Sequence, residues 1–212
     1  MYNKAMKELS AEYEKGRIAV DAVIFTIVNG TLMVYLHKRE VEPFMGKYEL
    51  LGGLLKKNER AEDTLMRKLK ETIGDYRIYF EQFHTFTEPD RDPRGRTVSV
   101  GFIALVNSEN IDSMDNWHDI NGLKKLAFDH SVIIQKAREH LRENVEHLVV
   151  KQFMPKYFPL NDLQIVYEII SDKKYDNRNF RKQMLGMGIV KETDKIQKKV
   201  AHRPAKLYMF TS

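Results

Sequence analysis

The chain has 212 residues, 42% hydrophobic and 31% charged, an ordinary globular balance with length for one large domain or two small ones. It has no cysteine, which excludes a disulfide scaffold, Cys-ligated zinc and thiol catalysis and suits a reducing cytoplasm, the expected location. The net charge of +5 is confined to the end of the chain: residues 158–212 hold 11 Lys/Arg against 6 Asp/Glu, residues 1–157 hold 24 of each, and this asymmetry suggests a polyanionic partner for a C-terminal module.

In chain order, MYNKAMKELSAEYEKG is polar, with Ala5, Met6, Leu9 and Tyr13 at the spacing of a short helix. It lacks the apolar core of a signal peptide, and no later stretch approaches the ~18 apolar residues of a membrane span. Ile18–Val28 and Thr31–His37 flank Asn29-Gly30 and read as a β-hairpin. After a loop with Pro43 and Gly46, Asn58 reads as the N-cap of a helix over 59–73 that ends at Gly74. Strands resume at Arg77–Phe86 and Thr97–Val106, with the polar loop TEPDRDPRGR between them. Asp129–Val145 predicts an amphipathic helix with Val132, Ile133, Ala137 and Leu141 on one side.

The segment PKYFP at 155–159 marks a change of pattern that divides the chain into 1–152 and 153–212. Beyond it, Asn161 and Gln164 read as a capping box that opens a helix running to Ile170. A second helix, Asn177–Met187, is stopped by Gly188. IVKET and AKLYMF then read as short strands on either side of the basic loop DKIQKKVAHRP. Helix, turn, helix, strand, basic loop, strand is the order of a winged helix-turn-helix.

The stretch GLLKKNERAEDTLMRKLKETIG carries the chemistry of the first module. On its helix Glu59, Asp63, Arg67 and Glu71 stack four residues apart. Gly53, Glu59, Arg67, Leu69, Glu71 and Gly74 match the spacing of the Nudix box, and the lead-in LHKREVEPFMGKYELLGG is similar too, although Leu51 stands where Pro is usual. Residues 17–145 therefore resemble the Nudix domains, whose enzymes hydrolyse a nucleoside diphosphate linked to another group. That resemblance implies carboxylates that bind Mg²⁺ after the Arg and in a Glu-Glu pair. Here those positions hold Lys68, Glu71 and Thr72, so one carboxylate remains and a cation stands where a dication belongs. At ~4 Å such a repulsion reaches several kcal/mol even with strong screening. We therefore expect a degenerate box with no catalytic residue, no metal ligand and no cofactor, Mg²⁺ entering only if residual hydrolysis survives. Glu88, Asp90 and Asp92 offer an alternative set of carboxylates.

A pocket without catalysis still needs ligand chemistry. Arg39, Glu49 and the Gly52-Gly53 backbone, with Asp90, Arg94, Arg96 and Ser99 from the loop EPDRDPRGRTVSV, are the candidate effector-binding residues, and Arg91 and Asp92 lie in the same loop. Guanidiniums suit phosphates, or vicinal hydroxyls held jointly with a carboxylate.

In the second module, Phe180, Met184 and Met187 are expected to pack inward, leaving Arg178, Asn179, Arg181, Lys182 and Gln183 to face the major groove. Lys182, Lys195, Lys198 and Lys199 suit phosphates, and Arg203 suits a minor groove.

With FPLNDLQIVYEII, DNRNFRKQML and HRPAKLY in place, nearly the full chain resembles the Nudix-related transcriptional regulators. The resemblance implies an α+β architecture: a Nudix-like α/β/α sandwich with a mixed sheet, then a winged helix-turn-helix domain. It also implies a homodimer on a roughly palindromic double-stranded DNA operator, gated by ADP-ribose or by a pentose such as L-arabinose. The remnant RKLKET, poor in metal ligands, tilts the expectation toward the sugar. Two other readings stand beside it: an active ADP-ribose pyrophosphatase with a basic appendage, and a protein-docking winged helix.

Overall fold

The structure, a computed structural model, describes residues 15–73, 78–145, 150–197 and 204–211. The expected N-terminal helix, Gly74, and the wing residues Lys198, Lys199 and Arg203 lie outside them.

The first module is built on β1 (Arg17–Val28). Its apolar run breaks strict alternation because the strand is covered on both faces. Val20, Ala22 and Ile24 pack with Leu65 and Leu69 of helix α1 (Ala61–Ile73). Val23 and Phe25 point the other way, into a core that includes Ile133, Ile134, Ala137 and Leu141 of helix α2 (His130–Glu143). The sheet is mixed. β1 runs parallel to β7 (Thr97–Leu105) along one edge. Its other edge is shared: residues 19–22 pair with β5 (Leu51–Leu54), and residues 25–28 pair with β2 (Thr31–Tyr35), both antiparallel. β6 (Tyr79–Phe86) flanks β7, and β8 (Trp117–Asp119) flanks β2. A short pair, β3 (His37–Lys38) and β4 (Tyr48–Glu49), closes the loop between β2 and β5. Asn29 and Gly30 adopt positive φ, 49° and 77°, the tight hairpin turn that Asn-Gly favours.

The second module contains α3 (Leu160–Ser171), α4 (Asn177–Gly186) and the wing hairpin of β9 (Val190–Ile196) and β10 (Lys206–Phe210). The linker joins this sheet. Phe158 and Tyr208 exchange backbone hydrogen bonds of 3.0 and 2.8 Å, so PKYFP supplies a third, one-residue rung beside the wing. Val150, Phe153, Phe158, Leu163 and Tyr208 belong to the same buried cluster as Val23 and Leu141, and one core therefore runs through both modules.

Local readings needed correction at four places. α1 starts at Ala61, not 59: Asp63 accepts from the backbone N–H of Arg60 at 3.0 Å, and Glu59 precedes the helix. Asn161 does not cap α3. Pro159 occupies the N-cap position, and Gln164 donates to Glu168 and to the Tyr175 carbonyl, both at 2.9 Å. Val132 is 54% exposed, and Ile134 takes the inward place expected for it. Met187 is likewise exposed, because α4 ends at Gly186 and the chain turns away through Gly188 at φ +65°.

Candidate functional site

The Nudix-box segment is occupied by its own charges. Glu59 accepts two hydrogen bonds of 2.8 Å from Arg67, one of 2.9 Å from the Thr64 hydroxyl and one of 3.1 Å from the Lys56 backbone. Arg67 above all, with the Lys56 backbone and Thr64, outweighs the cost of desolvation and holds Glu59 down at about 2. This fork ties the loop after β5 onto α1. Lys68 bonds Glu71 at 3.1 Å, and its Cε lies 3.2 Å from where a Cβ on Gly53 would stand. Thr72 lines a separate hollow with Tyr35 and Trp117. Among the described residues, no three or more His, Asp or Glu side chains are grouped so that they could hold a metal ion.

A cleft of ≈ 160 Å³ opens beside this segment, between the ends of β1 and β5, the loop before β7 and the start of α2. Of the expected effector residues, Arg39, Glu49, Gly52, Gly53 and Arg94 line it. Asp90 is exposed outside it, and Arg96 turns away to donate to the Thr87 carbonyl at 2.7 Å. Ser99 is buried beneath the cleft and donates to Asp21 at 2.6 Å.

The cleft is organised around residues that the candidate set passed over. Asp21 lies on β1 opposite Gly52. It accepts from Arg91 at 3.0 Å and lies 3.4 Å from His130 Nε2. The backbone N–H of Leu50 donates to His130 Nδ1 at 2.9 Å, which places the imidazole proton on Nε2, toward Asp21. Burial works against the charge on Asp21, but His130, Ser99 and Arg91 together hold its carboxyl well below the usual carboxylate range. Arg91 also forks onto Asp129 at 2.9 and 2.8 Å. The one sequence signal for this centre is the lone Asp in IAVDAVIFTIV, since a carboxylate inside an apolar strand demands partners.

The two remaining guanidiniums meet at one ring. Arg39 lies 4.9 Å and Arg94 5.2 Å from the Phe128 centroid. Arg39 bonds Glu49 at 2.6 Å, and Glu49 also faces His37 at 3.1 Å. Arg94 forks onto Asp92 at 2.9 and 2.8 Å. Desolvation opposes the charges of Glu49 and Asp92, yet their partners keep both below the ordinary range. Each cleft arginine thus has a carboxylate partner, and Arg94, with its side chain 41% exposed, is the one a phosphate can recruit at least cost. Guanidiniums, carboxylates and an aromatic face together suit a ligand that combines phosphates, hydroxyls and a flat ring.

On the second module, Asp176 caps α4 by accepting from the Asn179 backbone at 2.9 Å. Phe180 and Met184 are buried, and Arg178, Asn179, Lys182 and Gln183 are exposed as expected. Arg181 is exposed as a residue, but its guanidinium is engaged: it donates to the Tyr208 hydroxyl at 2.6 Å. Lys195 lies 3.5 Å from the Tyr157 ring centroid.

The NUDIX domain family matches residues 16–148, and the NrtR DNA-binding winged helix domain matches residues 150–210. The "ADPR responsive transcriptional repressor NtrR" of Acinetobacter baylyi is 33% identical over 94% of this chain and 84% of its own. NrtR of Shewanella oneidensis, solved with a 27mer DNA, superposes at a TM-score of 0.81 with 32% identity, covering 92% of this chain and 93% of that one. Its NUDIX domain, solved with ADP ribose, matches at a TM-score of 0.50 and 31% identity over 65% of this chain and 98% of that one. An ADP-ribose pyrophosphatase of Methanocaldococcus jannaschii is 34% identical over 56% of this chain and 70% of its own. ADP-ribose is named among these relatives and a pentose is not, so they support the ADP-ribose side of the expectation and leave the tilt toward a sugar without support.

Proposed function

Because the chain belongs to the NUDIX family and carries the NrtR-type winged helix at its C-terminal end, we propose that it is a transcriptional repressor whose NUDIX domain senses ADP-ribose. The observation that carries the effector assignment is the cleft itself. Arg39 and Arg94 meet over Phe128, and Arg91, Asp21, Glu49 and Asp92 line the same cleft, a set suited to a diphosphate, ribose hydroxyls and a base. The division of labour places the effector domain in 1–152 and the DNA reader in 153–212.

The test is titration against a duplex that the unmutated protein selects from a random pool. ADP-ribose changes operator affinity, L-arabinose does not, and Arg94→Ala blunts the response while retaining the operator. An ADP-ribose titration that leaves operator affinity unchanged overturns the effector assignment. The operator is expected to be pseudo-palindromic and the protein a homodimer, since two recognition helices then meet half-sites one helical turn apart or a multiple of it. Sedimentation as a monomer with and without operator excludes this.

The relationship to a pyrophosphatase favours hydrolysis as a second reading. Lys68 replaces one carboxylate and is paired to Glu71, so we expect negligible Mg²⁺-dependent cleavage of ADP-ribose. Turnover of about 1 s⁻¹ or faster, abolished by Glu71→Gln, establishes that reading instead.

A further inference from the structure

Tyr208 sits at a junction of three elements. Its backbone is fixed by the paired hydrogen bonds to Phe158 in the linker, and the residue is 1% exposed. The hydroxyl accepts from Arg181 Nη2 of α4 at 2.6 Å and donates to Glu192 Oε2 of β9 at 3.2 Å. Glu192 in turn accepts from Lys206 on β10. The Arg181 guanidinium also lies over the Tyr208 ring, 5.5 Å from its centroid. Were packing the whole role, a phenylalanine would serve; a buried hydroxyl needs partners, and this one has two charged side chains from different elements.

Resting on the reading of α4 as the DNA-reading helix, we propose that Tyr208 is a positioning residue for operator recognition, presetting the Arg181 guanidinium from the wing. An arginine on a solvent-facing helix surface samples many rotamers, and ordering it on binding costs affinity. Here ring and hydroxyl hold it in one place. Among the described residues only Nη2 is engaged, which leaves Nη1 and Nε for a base edge or phosphate, since the fork has five donors. The chain Arg181–Tyr208–Glu192 runs donor to acceptor throughout, so each link polarises the next. Burial pushes the Tyr208 hydroxyl up, so it stays protonated as the donor to Glu192 at physiological pH.

The experiment uses the full chain, a duplex selected by the unmutated protein from a random pool, and a scrambled duplex of equal length. Tyr208→Phe keeps the ring and removes the link. We expect it to weaken operator binding about tenfold with scrambled-duplex affinity within about twofold, so that sequence preference collapses while phosphate binding persists. Arg181→Lys gives the same loss, and the double variant is no worse than either single one, as expected of a coupled pair. Operator affinity unchanged in Tyr208→Phe overturns the proposal, and so does an equal loss on both duplexes, which marks Tyr208 as merely structural. Arg181→Ala separates the two levels. If it abolishes preference while Tyr208→Phe does not, Arg181 reads DNA without preset. If it too leaves preference intact, the reading role of Arg181 falls as well.

Discussion

At the scale of the residue, buried or clamped carboxylates carry the clearest consequences. Glu168 on α3 accepts from Gln164 at 2.9 Å, from the Tyr175 backbone at 3.1 Å and from Lys174 at 2.6 Å. Those donors, Gln164 first, hold it at about 2 against an ordinary 4.5. A folded-state value below the unfolded one means that the ionised form stabilises the fold above about pH 4.5, and that this contribution fades as pH falls toward 2. Glu168→Gln should therefore lower the urea midpoint at pH 7 and flatten the decline between pH 4.5 and 2; a variant with the same acid decline as the unmutated chain refutes the assignment. Such residues are hard to see in sequence. Glu168 reads as one more charge in an amphipathic helix, and Asp21 as an interruption of an apolar strand. The partners of Asp21 lie 70 or more residues away, and no local pattern brings Ser99, Arg91 and His130 to it. Arg39 and Arg94 were legible because their loops are dense in charge, but that density also drew in Asp90 and Arg96, which the fold turns away.

Elements whose signals are local are legible in the sequence. The Asn29-Gly30 hairpin needs only its own turn residues, and α1 and α2 need only their 3.6-residue period. Errors arose where a tertiary partner outbid a local one. Gln164 serves the turn before α4 instead of capping α3. The pairing of β5 with β1 was invisible in sequence, and it decides the role of Gly52. A Cβ there would stand 2.2 Å from the Val20 carbonyl oxygen and 3.0 Å from Asp21 Oδ1. Backbone cannot yield as a flexible side chain does, so Gly52→Ala should cost about 3 kcal/mol or more, at the upper end for overpacking. For a chain of this length each kcal/mol lowers Tm by about 2–4 °C. Gly122, with nothing within 4 Å of its would-be Cβ, is the control: Gly122→Ala should stay within about 0.5 kcal/mol. Equal melting of the two variants contradicts the packing seen at Gly52.

Across the whole molecule, α2 connects sensor to reader. His130 at its start lines the cleft, and Arg142 near its end bonds Asp172, the left-handed residue that closes α3 five residues before α4. The span of about 20 Å follows from a 1.5 Å rise per residue. Among the described residues, two routes leave the end of this rod. One is the Arg142–Asp172 pair at 3.2 Å, whose side chains are 37% and 73% exposed. The other is the shared core, in which Leu141 and Val145 belong with Val150, Phe153 and Leu163. Magnitudes separate them. An exposed pair is worth ~0–1 kcal/mol, whereas coupling between effector and operator sites is typically ~1–3 kcal/mol. The ion pair is too weak to transmit most of that, so the core is the expected route. Arg142→Ala should leave the factor by which ADP-ribose changes operator affinity within about fivefold of the unmutated value. A shared core also implies joint unfolding. Trp117, the only tryptophan and buried in the NUDIX sheet, reports on one module by fluorescence, and hydrogen exchange of the α4 and β10 amides reports on the other. Their urea midpoints should coincide and should rise together when ADP-ribose binds, because a ligand that selects the folded state stabilises everything that unfolds with it. Separate midpoints, or loss of coupling in Arg142→Ala beyond fivefold, would place transmission in the ion pair and make the two modules independent folding units.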